Sequence, residues 1–218
     1  MKYYPINLNI YKKKILVIGG GIVATRKIER LIERGARIKV VSPEVTGKIK
    51  AFINEGRIRW IERLYKPGDE EGVVAVFCAI SSNPQNNKIE EGLYKICIKK
   101  SILINIADKP ELCTFTLPAL VSRGEFDIAV FTGGLSPRLA KKIREDLEKV
   151  YGEEYNLFVR LLGMMRKEIK MKKLPQRENQ KVFNKLVASE LFELVRKKRY
   201  NEISLFLSNF IQKIRQWP

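Results

Sequence analysis

Near its start the chain contains the stretch Lys14-Ile-Leu-Val-Ile-Gly-Gly-Gly-Ile-Val-Ala24, which indicates the fold most clearly. Its four consecutive apolar residues are typical of a strand buried on both faces of a sheet. Gly19, Gly21 and Ala24 then fit G-x-G-x-x-A, in which the first glycine permits a tight turn and the second lets the backbone approach a pyrophosphate. The stretch predicts a dinucleotide site, although a purely structural turn would have the same pattern.

Strands and helices continue to alternate up to about residue 110. Helices are predicted at 22–34, at 44–54 behind Ser42-Pro43, and at 85–99, and further strands at 37–41, 57–61, 73–79 and 101–106. Such alternation predicts parallel βαβ units wound into a sheet with helices on both faces.

The pattern changes after this point. Strand-like runs at 114–117 and 126–132, separated by a turn near Gly124, predict a hairpin. Ser136-Pro137 is a helix-start signal, and the apolar stripes that follow predict helices to the end of the chain. The fold class is therefore α/β, a Rossmann-type doubly wound parallel sheet followed by a small α+β region and a helical C-terminal domain.

Composition excludes several mechanisms. The 218 residues contain no histidine, so a His-based triad, a His-ligated zinc site and a histidine pH switch are excluded. Three cysteines without CxxC spacing favour a reducing compartment over disulfides or a thiolate metal cage, and we interpret all three as small hydrophobic residues. No metal site is expected. Without a recognisable signal peptide or a long apolar run, the expected location is the cytoplasm.

The formal charge of +18 indicates an acidic ligand. Basic runs such as 196–199 are compatible with a nucleic-acid backbone, with a polyanionic small molecule, or with solvated helix faces. Solvated faces are the usual explanation for any single run. We therefore expect neither nucleic acid nor a membrane as a partner. The competing hypothesis on this point is a basic nucleic-acid-binding protein.

Dinucleotides lie across the carboxyl ends of parallel strands, so the loops there hold the candidate polar residues. Ser81 follows the predicted fourth strand. Asp108 follows the fifth as a lone carboxylate, where it is either a proton acceptor or the cap of an Asp-x-Pro turn. Ser136 is similarly either part of an anion-binding helix start or a simple N-cap. The ribose-binding acid expected after the second strand is missing, so spacing does not decide between NAD and NADP.

Several separated motifs resemble the precorrin-2 dehydrogenase/sirohydrochlorin ferrochelatase family of siroheme synthesis. They occur in the family's order over about the first 150 residues: Tyr4-Pro5-Ile6, Val17 to Lys27, Gly35-Ala36, Val41 to Glu44, Asn105 to Asp108, and Thr132 to Ala140. The resemblance implies an NAD-binding Rossmann domain (1–112), a dimerisation region (113–150) and a helical C-terminal domain (151–218), assembled as an interlocked homodimer with the active-site cleft between domains. It also implies NAD-dependent oxidation of precorrin-2 to sirohydrochlorin.

The resemblance assigns roles to individual positions. It implies that Ile22, Val23, Pro43 and Glu44 touch NAD and that Asp108 is the catalytic aspartate. Ser136 matches a serine near the tetrapyrrole cleft. Precorrin-2 carries carboxylates around its whole rim, so Arg138 and the lysines at 141 and 142 are candidate substrate-binding residues.

Two questions stay open at this level. Similar proteins include dehydrogenases without chelatase activity, so insertion of ferrous iron into sirohydrochlorin is not decided. The competing function is an NAD-sensing Rossmann module without tetrapyrrole chemistry.

Overall fold

The computed structural model describes residues 3–215. The chain begins with five strands and three helices: β1 (Lys14–Ile18), α1 (Ile22–Glu33), β2 (Arg37–Val41), α2 (Gly47–Asn54), β3 (Ile58–Ile61), β4 (Ala75–Cys78), α3 (Pro84–Lys99) and β5 (Leu103–Ile106). A short 3-10 turn (Pro110–Leu112) follows. The remainder consists of β6 (Ala119–Arg123), β7 (Phe126–Val130), α4 (Pro137–Val150), α5 (Glu154–Met171), α6 (Gln176–Val187), α7 (Leu191–Arg196) and α8 (Tyr200–Arg215).

The first five strands form one parallel sheet in the order β3-β2-β1-β4-β5. Alternate residues of the strands face opposite sides, so Ile15 and Val17 pack with α1 and α2, while Leu16 and Ile18 pack with α3. Every apolar residue of β1 is at most 2% exposed. The continuous apolar pattern therefore predicted a central strand correctly, and the Rossmann-type fold is confirmed.

The chain order reverses between β1 and β4, because the chain passes from β1 outward to β3 and then returns to β4. In sheets of this kind, ligands bind in the crevice at the carboxyl ends of the strands at this switch point. The fold therefore positions the loops after β1, β4 and β5 as the binding edge.

Two local predictions were wrong. Helix α2 does not begin behind Ser42-Pro43, because the Ser42 hydroxyl donates to the carbonyl of Glu44 (2.6 Å), and Thr46 is the residue that caps the helix. The run 114–117 is not a strand. The Ile104 N–H on β5 donates to the Thr114 hydroxyl (2.8 Å). That N–H is therefore not available to a backbone carbonyl of a neighbouring strand. The hairpin exists, but its first strand is β6.

The described residues up to Leu117 form one compact unit and those from Pro118 onward a second. In the second unit α4 packs against the β6–β7 hairpin, and helices α5 to α8 share one apolar core that includes Phe158, Leu186 and Leu191. The predicted helical C-terminal region is confirmed. The three-part division at residues 112 and 150 stays a prediction, and its ends at residues 1, 2 and 216–218 lie outside the described residues.

Candidate active site

The glycine turn after β1 has two positions that admit no side chain. Gly19 adopts a φ of +104°, and a Cβ on it would overlap the carbonyl oxygen of Ala79 at the end of β4. A Cβ on Gly20 would overlap the carbonyl oxygen of Glu44. These glycines thus let the loops after β1, β2 and β4 meet at the switch point.

The third glycine faces open space. A Cβ on Gly21 would meet no atom within 4 Å, and no side chain caps the start of α1 at this residue. The first N–H groups of a helix attract anions. Ile22 and Val23, the next two residues, are 67% and 46% exposed despite being apolar. Open space, an uncapped helix start and exposed apolar side chains together fit the pyrophosphate and adjoining groups of a dinucleotide.

The loop after β2 is tied to this turn. The Thr46 N–H donates to the Gly20 carbonyl (3.0 Å), and the Thr46 hydroxyl lies 2.9 Å from that of Thr25 on α1. Pro43 and Glu44 are exposed beside the turn. The only polar side chain directly after β2 is Ser42, whose hydroxyl is already bonded to Glu44. The nearest carboxylate after β2 is therefore that of the exposed Glu44, three residues beyond the strand.

Ser81 lies two residues beyond the Ala79 carbonyl that packs on Gly19. Its side chain is exposed, and its carbonyl accepts the Asn86 amide (2.7 Å) at the start of α3. The residues predicted to bind the cofactor after β1, β2 and β4 therefore share the carboxyl edge of the sheet.

Asp108 lies on the same edge, after β5. It is exposed and adopts a left-handed φ of +60°, which aspartate tolerates better than most residues. Its carboxylate makes no hydrogen bond or ion pair with another residue in the 3–215 range. The strand order puts β5 two strands from β1, or about 10 Å. An exposed carboxylate on the same edge of the sheet, two strands from the glycine turn, can accept a proton from a substrate beside the cofactor.

A half-buried lysine approaches Asp108 from the α1 side of the sheet. The Lys27 ammonium donates to Asn105 Oδ1 on β5 (2.8 Å) and lies 5.5 Å from the centre of the Phe77 ring. Burial lowers the pKa of Lys27, and the charge of Asp108 partly opposes that effect. The Asn105 amide donates to the Phe115 carbonyl (3.1 Å), so the asparagine orients both neighbours.

A second lysine is held on the α3 side. The Lys109 ammonium lies 2.6 Å from Oε2 of the buried Glu90 and donates to Asn87 Oδ1 (2.7 Å). One lysine is therefore held on the α1 side of the sheet and another on the α3 side, and the loop that carries Asp108 contains the second of them.

One of the three cysteines holds the loop that carries Asp108, and the other two are buried. Cys113 Sγ accepts the Ile106 N–H (3.1 Å) and donates to the Lys109 carbonyl (3.2 Å), which fixes the loop that carries Asp108. Cys78 and Cys97 are fully buried, as predicted for small hydrophobic residues. Burial, with a smaller contribution from Glu90, raises the pKa of Cys78 to about 12, so this thiol stays protonated. Cys113 differs from the prediction, because it acts as a hydrogen-bonding residue.

The predicted substrate-binding residues belong to the second unit. Ser136 Oγ accepts the Leu139 N–H (3.3 Å), so this serine is the N-cap of α4. Arg138 and Lys141 are exposed one turn apart on that helix, and the Lys141 ammonium lies 3.7 Å from Glu145. They form a small basic group at the start of α4, and their contact with a substrate stays a prediction.

Two kinds of feature are absent from the described residues. Between residues 3 and 215, no group of three or more cysteine, aspartate or glutamate side chains is placed to hold a metal ion. None of the helices in that range has both the length and the apolar character needed to cross a membrane.

Sequence reasoning gave no role to Lys27, Glu90, Asn105 or Lys109. A signal existed for two of them. Asn105 interrupts an apolar strand, and Glu90 shares helical spacing with the buried Leu93 and Cys97. A polar residue at a core position must find a partner, so each indicated a buried polar contact.

The fold and the glycine turn define an NAD(P)-binding protein, and the sequence comparison agrees. Residues 6–119 match the family described as "Putative NAD(P)-binding", and the chain belongs to this family.

More specific relatives confirm the resemblance predicted from the sequence. The chain is 34% identical over 170 residues to a siroheme synthase of Baumannia cicadellinicola subsp. Homalodisca coagulata, covering 78% of this chain and 36% of the relative. It is 32% identical over 196 residues to a siroheme synthase of Pseudomonas aeruginosa, covering 89% of this chain and 41% of the relative. The chain thus spans well under half the length of these relatives.

A solved structure matches the whole chain. The protein described as "SirC, precorrin-2 dehydrogenase" superimposes with a TM-score of 0.76 and 26% sequence identity, covering 99% of this chain and 100% of that one.

Proposed function

We propose that this chain catalyses the NAD-dependent oxidation of precorrin-2 to sirohydrochlorin in siroheme biosynthesis. The observation that carries the proposal is the pairing of an open, uncapped glycine turn with an exposed carboxylate on one edge of the sheet. The likeness to a precorrin-2 dehydrogenase over almost the whole chain supports the choice of substrate.

The division of labour follows from these two features. NAD, when bound, would supply the acceptor for a hydride from the macrocycle. Gly19 and Gly20 bring the loops together, the N–H groups after Gly21 bind the pyrophosphate, and Ile22, Val23, Pro43, Glu44 and Ser81 line the cofactor. Asp108 accepts the proton that leaves with the hydride. Precorrin-2 thus loses two electrons and two hydrogen nuclei, and the products are sirohydrochlorin, NADH and a proton.

Substrate binding requires cations, because precorrin-2 is a polycarboxylate. Arg138 and Lys141 are the proposed cations and Ser136 a proposed hydrogen-bonding partner. Guanidinium and ammonium groups form strong charge-assisted bonds with carboxylates. Exposed cations at the start of α4 support this assignment.

We also propose a homodimer in the cytoplasm. In the second unit Leu135, Leu139 and Val150 are 92%, 51% and 65% exposed, which is unusual for large apolar residues near one helix. The three cysteines are free, as is usual in a reducing compartment.

An anaerobic assay tests the proposal. The purified chain, NAD and precorrin-2 should yield sirohydrochlorin and NADH in equal amounts, and NADP in place of NAD should yield less. NAD binding without any oxidation would instead support the NAD-sensing module. Adding ferrous iron after oxidation is complete measures metal insertion in the same sample, since the macrocycle nitrogens would be the ligands.

A further inference from the structure

The buried carboxylate of Glu90 has no part in the proposed reaction. Glu90 lies in the middle of α3, its side chain is 4% exposed, and its neighbours on the same helix face are the buried Leu93 and Cys97. Charged side chains are almost never buried unless they are paired. A carboxylate at this position therefore calls for a specific reason.

The partner of Glu90 is the residue next to Asp108. The Lys109 ammonium lies 2.6 Å from Glu90 Oε2, and Asn87, one turn earlier on α3, accepts a second bond from it (2.7 Å). Both partners come from the helix on one face of the sheet. The lysine side chain, only 21% exposed, is thereby directed toward α3.

The carboxylate of Asp108 is free of such contacts. It is exposed, and the charge that it influences most clearly is Lys27 on α1, which covers the opposite face. Charged residues near the loop are thus Lys27 on α1, Glu90 on α3, and Lys109 and Glu111 on the loop itself. Two titratable thiols also lie there, that of Cys78 on β4, which is 4.0 Å from Glu90 Oε1, and that of Cys113. Of the charged residues, Lys109 is covalently adjacent to Asp108, and its side chain is long enough to reach an adjacent carboxylate.

The loop is otherwise well anchored. Ala107 N–H donates to the Cys78 carbonyl (2.9 Å), and Cys113 Sγ binds the backbone at Ile106 and Lys109. The Leu112 N–H also donates to the Lys109 carbonyl (3.1 Å). The backbone does not need the Glu90 ion pair to keep its course, so the pair chiefly fixes where the Lys109 ammonium lies.

We propose that Glu90 is a positioning residue, which holds the Lys109 ammonium on the α3 side of the loop and so keeps it from pairing with the Asp108 carboxylate. An ammonium paired with that carboxylate would favour its ionised form and weaken it as a proton acceptor. The inference rests on the proposed function for its catalytic consequence, whereas the placement of the two charges does not depend on it.

The test compares Glu90→Gln with Glu91→Gln, an exposed neighbour that loses the same charge. The first readout is a carbon NMR titration of the Asp108 carboxyl in the ligand-free protein. The titration midpoint should move to lower pH by about one pH unit or more in Glu90→Gln and stay in place in Glu91→Gln. This readout requires no precorrin-2, so it is independent of whether the chain oxidises that substrate.

The second readout is the pH profile of precorrin-2 oxidation. In Glu90→Gln we expect kcat to fall about tenfold, with KM and NAD affinity nearly unchanged, and the acidic limb of kcat/KM to move in the same direction as the NMR midpoint. In the double variant Glu90→Gln/Lys109→Met the released ammonium is absent, so both the midpoint and kcat should return toward wild type.

The proposal is overturned if the NMR midpoint is unchanged in Glu90→Gln, or if the double variant is as perturbed as the single one. If Glu90→Gln does not fold, Glu90→Asp keeps the charge with a shorter reach and should show a smaller shift in the same direction, and no shift would count against the proposal. A wild-type protein that fails to oxidise precorrin-2 contradicts the proposed function alone.

Discussion

The glycine turn and the Asp108 loop share one edge of the sheet but are built in different ways. The turn uses backbone almost entirely, since Gly19 and Gly20 admit no side chain and Gly21 leaves the start of α1 open. The Asp108 loop depends on charged side chains, because Lys27 and Lys109 flank it and Asn105 and Glu90 hold them. The proposed cofactor site therefore depends on the shape of the backbone, whereas the proposed proton transfer depends on where charges are held.

The largest effect should come from the Asp108 carboxylate. Asp108→Asn keeps the size of the side chain and tolerates the left-handed backbone, but it removes the proton acceptor. Turnover of precorrin-2 should fall by about 10²- to 10⁴-fold with NAD affinity unchanged. Glu111→Gln, an exposed carboxylate in the same loop, is the control and should keep wild-type turnover. Equal losses in both variants would remove Asp108 from the mechanism.

In the glycine turn, the effect of a substitution should depend only on the space that the new side chain needs. Gly20→Ala would press a methyl group onto the Glu44 carbonyl, so the free energy of unfolding should fall by about 1–3 kcal/mol. Gly21→Ala meets no protein atom and should cost less than about 1 kcal/mol, yet its methyl group would enter the anion site and weaken NAD binding about tenfold or more.

Calorimetric NAD titration and denaturant unfolding of both glycine variants separate the two effects. A Gly21→Ala protein that binds NAD as tightly as wild type would show that the open space is not the pyrophosphate site.

Ser136 belongs to the second unit, where it caps the start of α4. Ser136→Ala should lower the free energy of unfolding by about 1 kcal/mol, since the Leu139 N–H loses its acceptor, and Ser136→Asp should largely restore it. Urea unfolding measures both. An unchanged stability in Ser136→Ala would mean that the cap is not important, and a raised KM for precorrin-2 in the same variant would support the predicted substrate contact.

The smallest effect concerns how the free energy of unfolding depends on pH because of Lys27. Its pKa is lowered by burial, so the folded protein releases this proton at a lower pH than the unfolded chain does. The ammonium therefore costs stability at neutral pH, and this cost disappears as the pH rises through the lowered pKa toward the ordinary value of 10.5.

Lys27→Met lacks that titration. Relative to the variant, wild type should gain stability as the pH rises from neutral toward 10.5, by no more than about 1 kcal/mol because solvent still screens the half-buried group. Unfolding at several pH values measures the difference, with the exposed Arg26→Met as the control. A stability difference that does not change with pH would contradict the burial of the charge.

Much of the first unit could be predicted from the sequence because its signals are local. An apolar strand, three glycines and an amphipathic helix follow one another from Lys14 to Glu33, and the structure has them at those positions. The position of Asp108 just after a buried strand could be predicted for the same reason.

The side-chain contacts that hold the two lysines near Asp108 could not be predicted, because they join residues far apart in the chain. Lys27 and Asn105 are 78 positions apart, and the Glu90 to Lys109 pair forms only when α3 packs against β5. The error at 114–117 has a similar cause. That run has the composition of a strand, but the Ile104 N–H on β5 donates to the Thr114 hydroxyl where a paired strand would offer a backbone carbonyl.

The most direct test measures NAD affinity and the single-turnover rate of precorrin-2 oxidation on the same two variants, Asp108→Asn and Gly21→Ala. We expect opposite defects in the two variants. Asp108→Asn should bind NAD like wild type and oxidise at least about 100-fold more slowly, while Gly21→Ala should bind NAD weakly and oxidise near the wild-type rate once NAD is saturating. Loss of both properties in both variants would contradict the separation of cofactor binding from proton transfer along this edge.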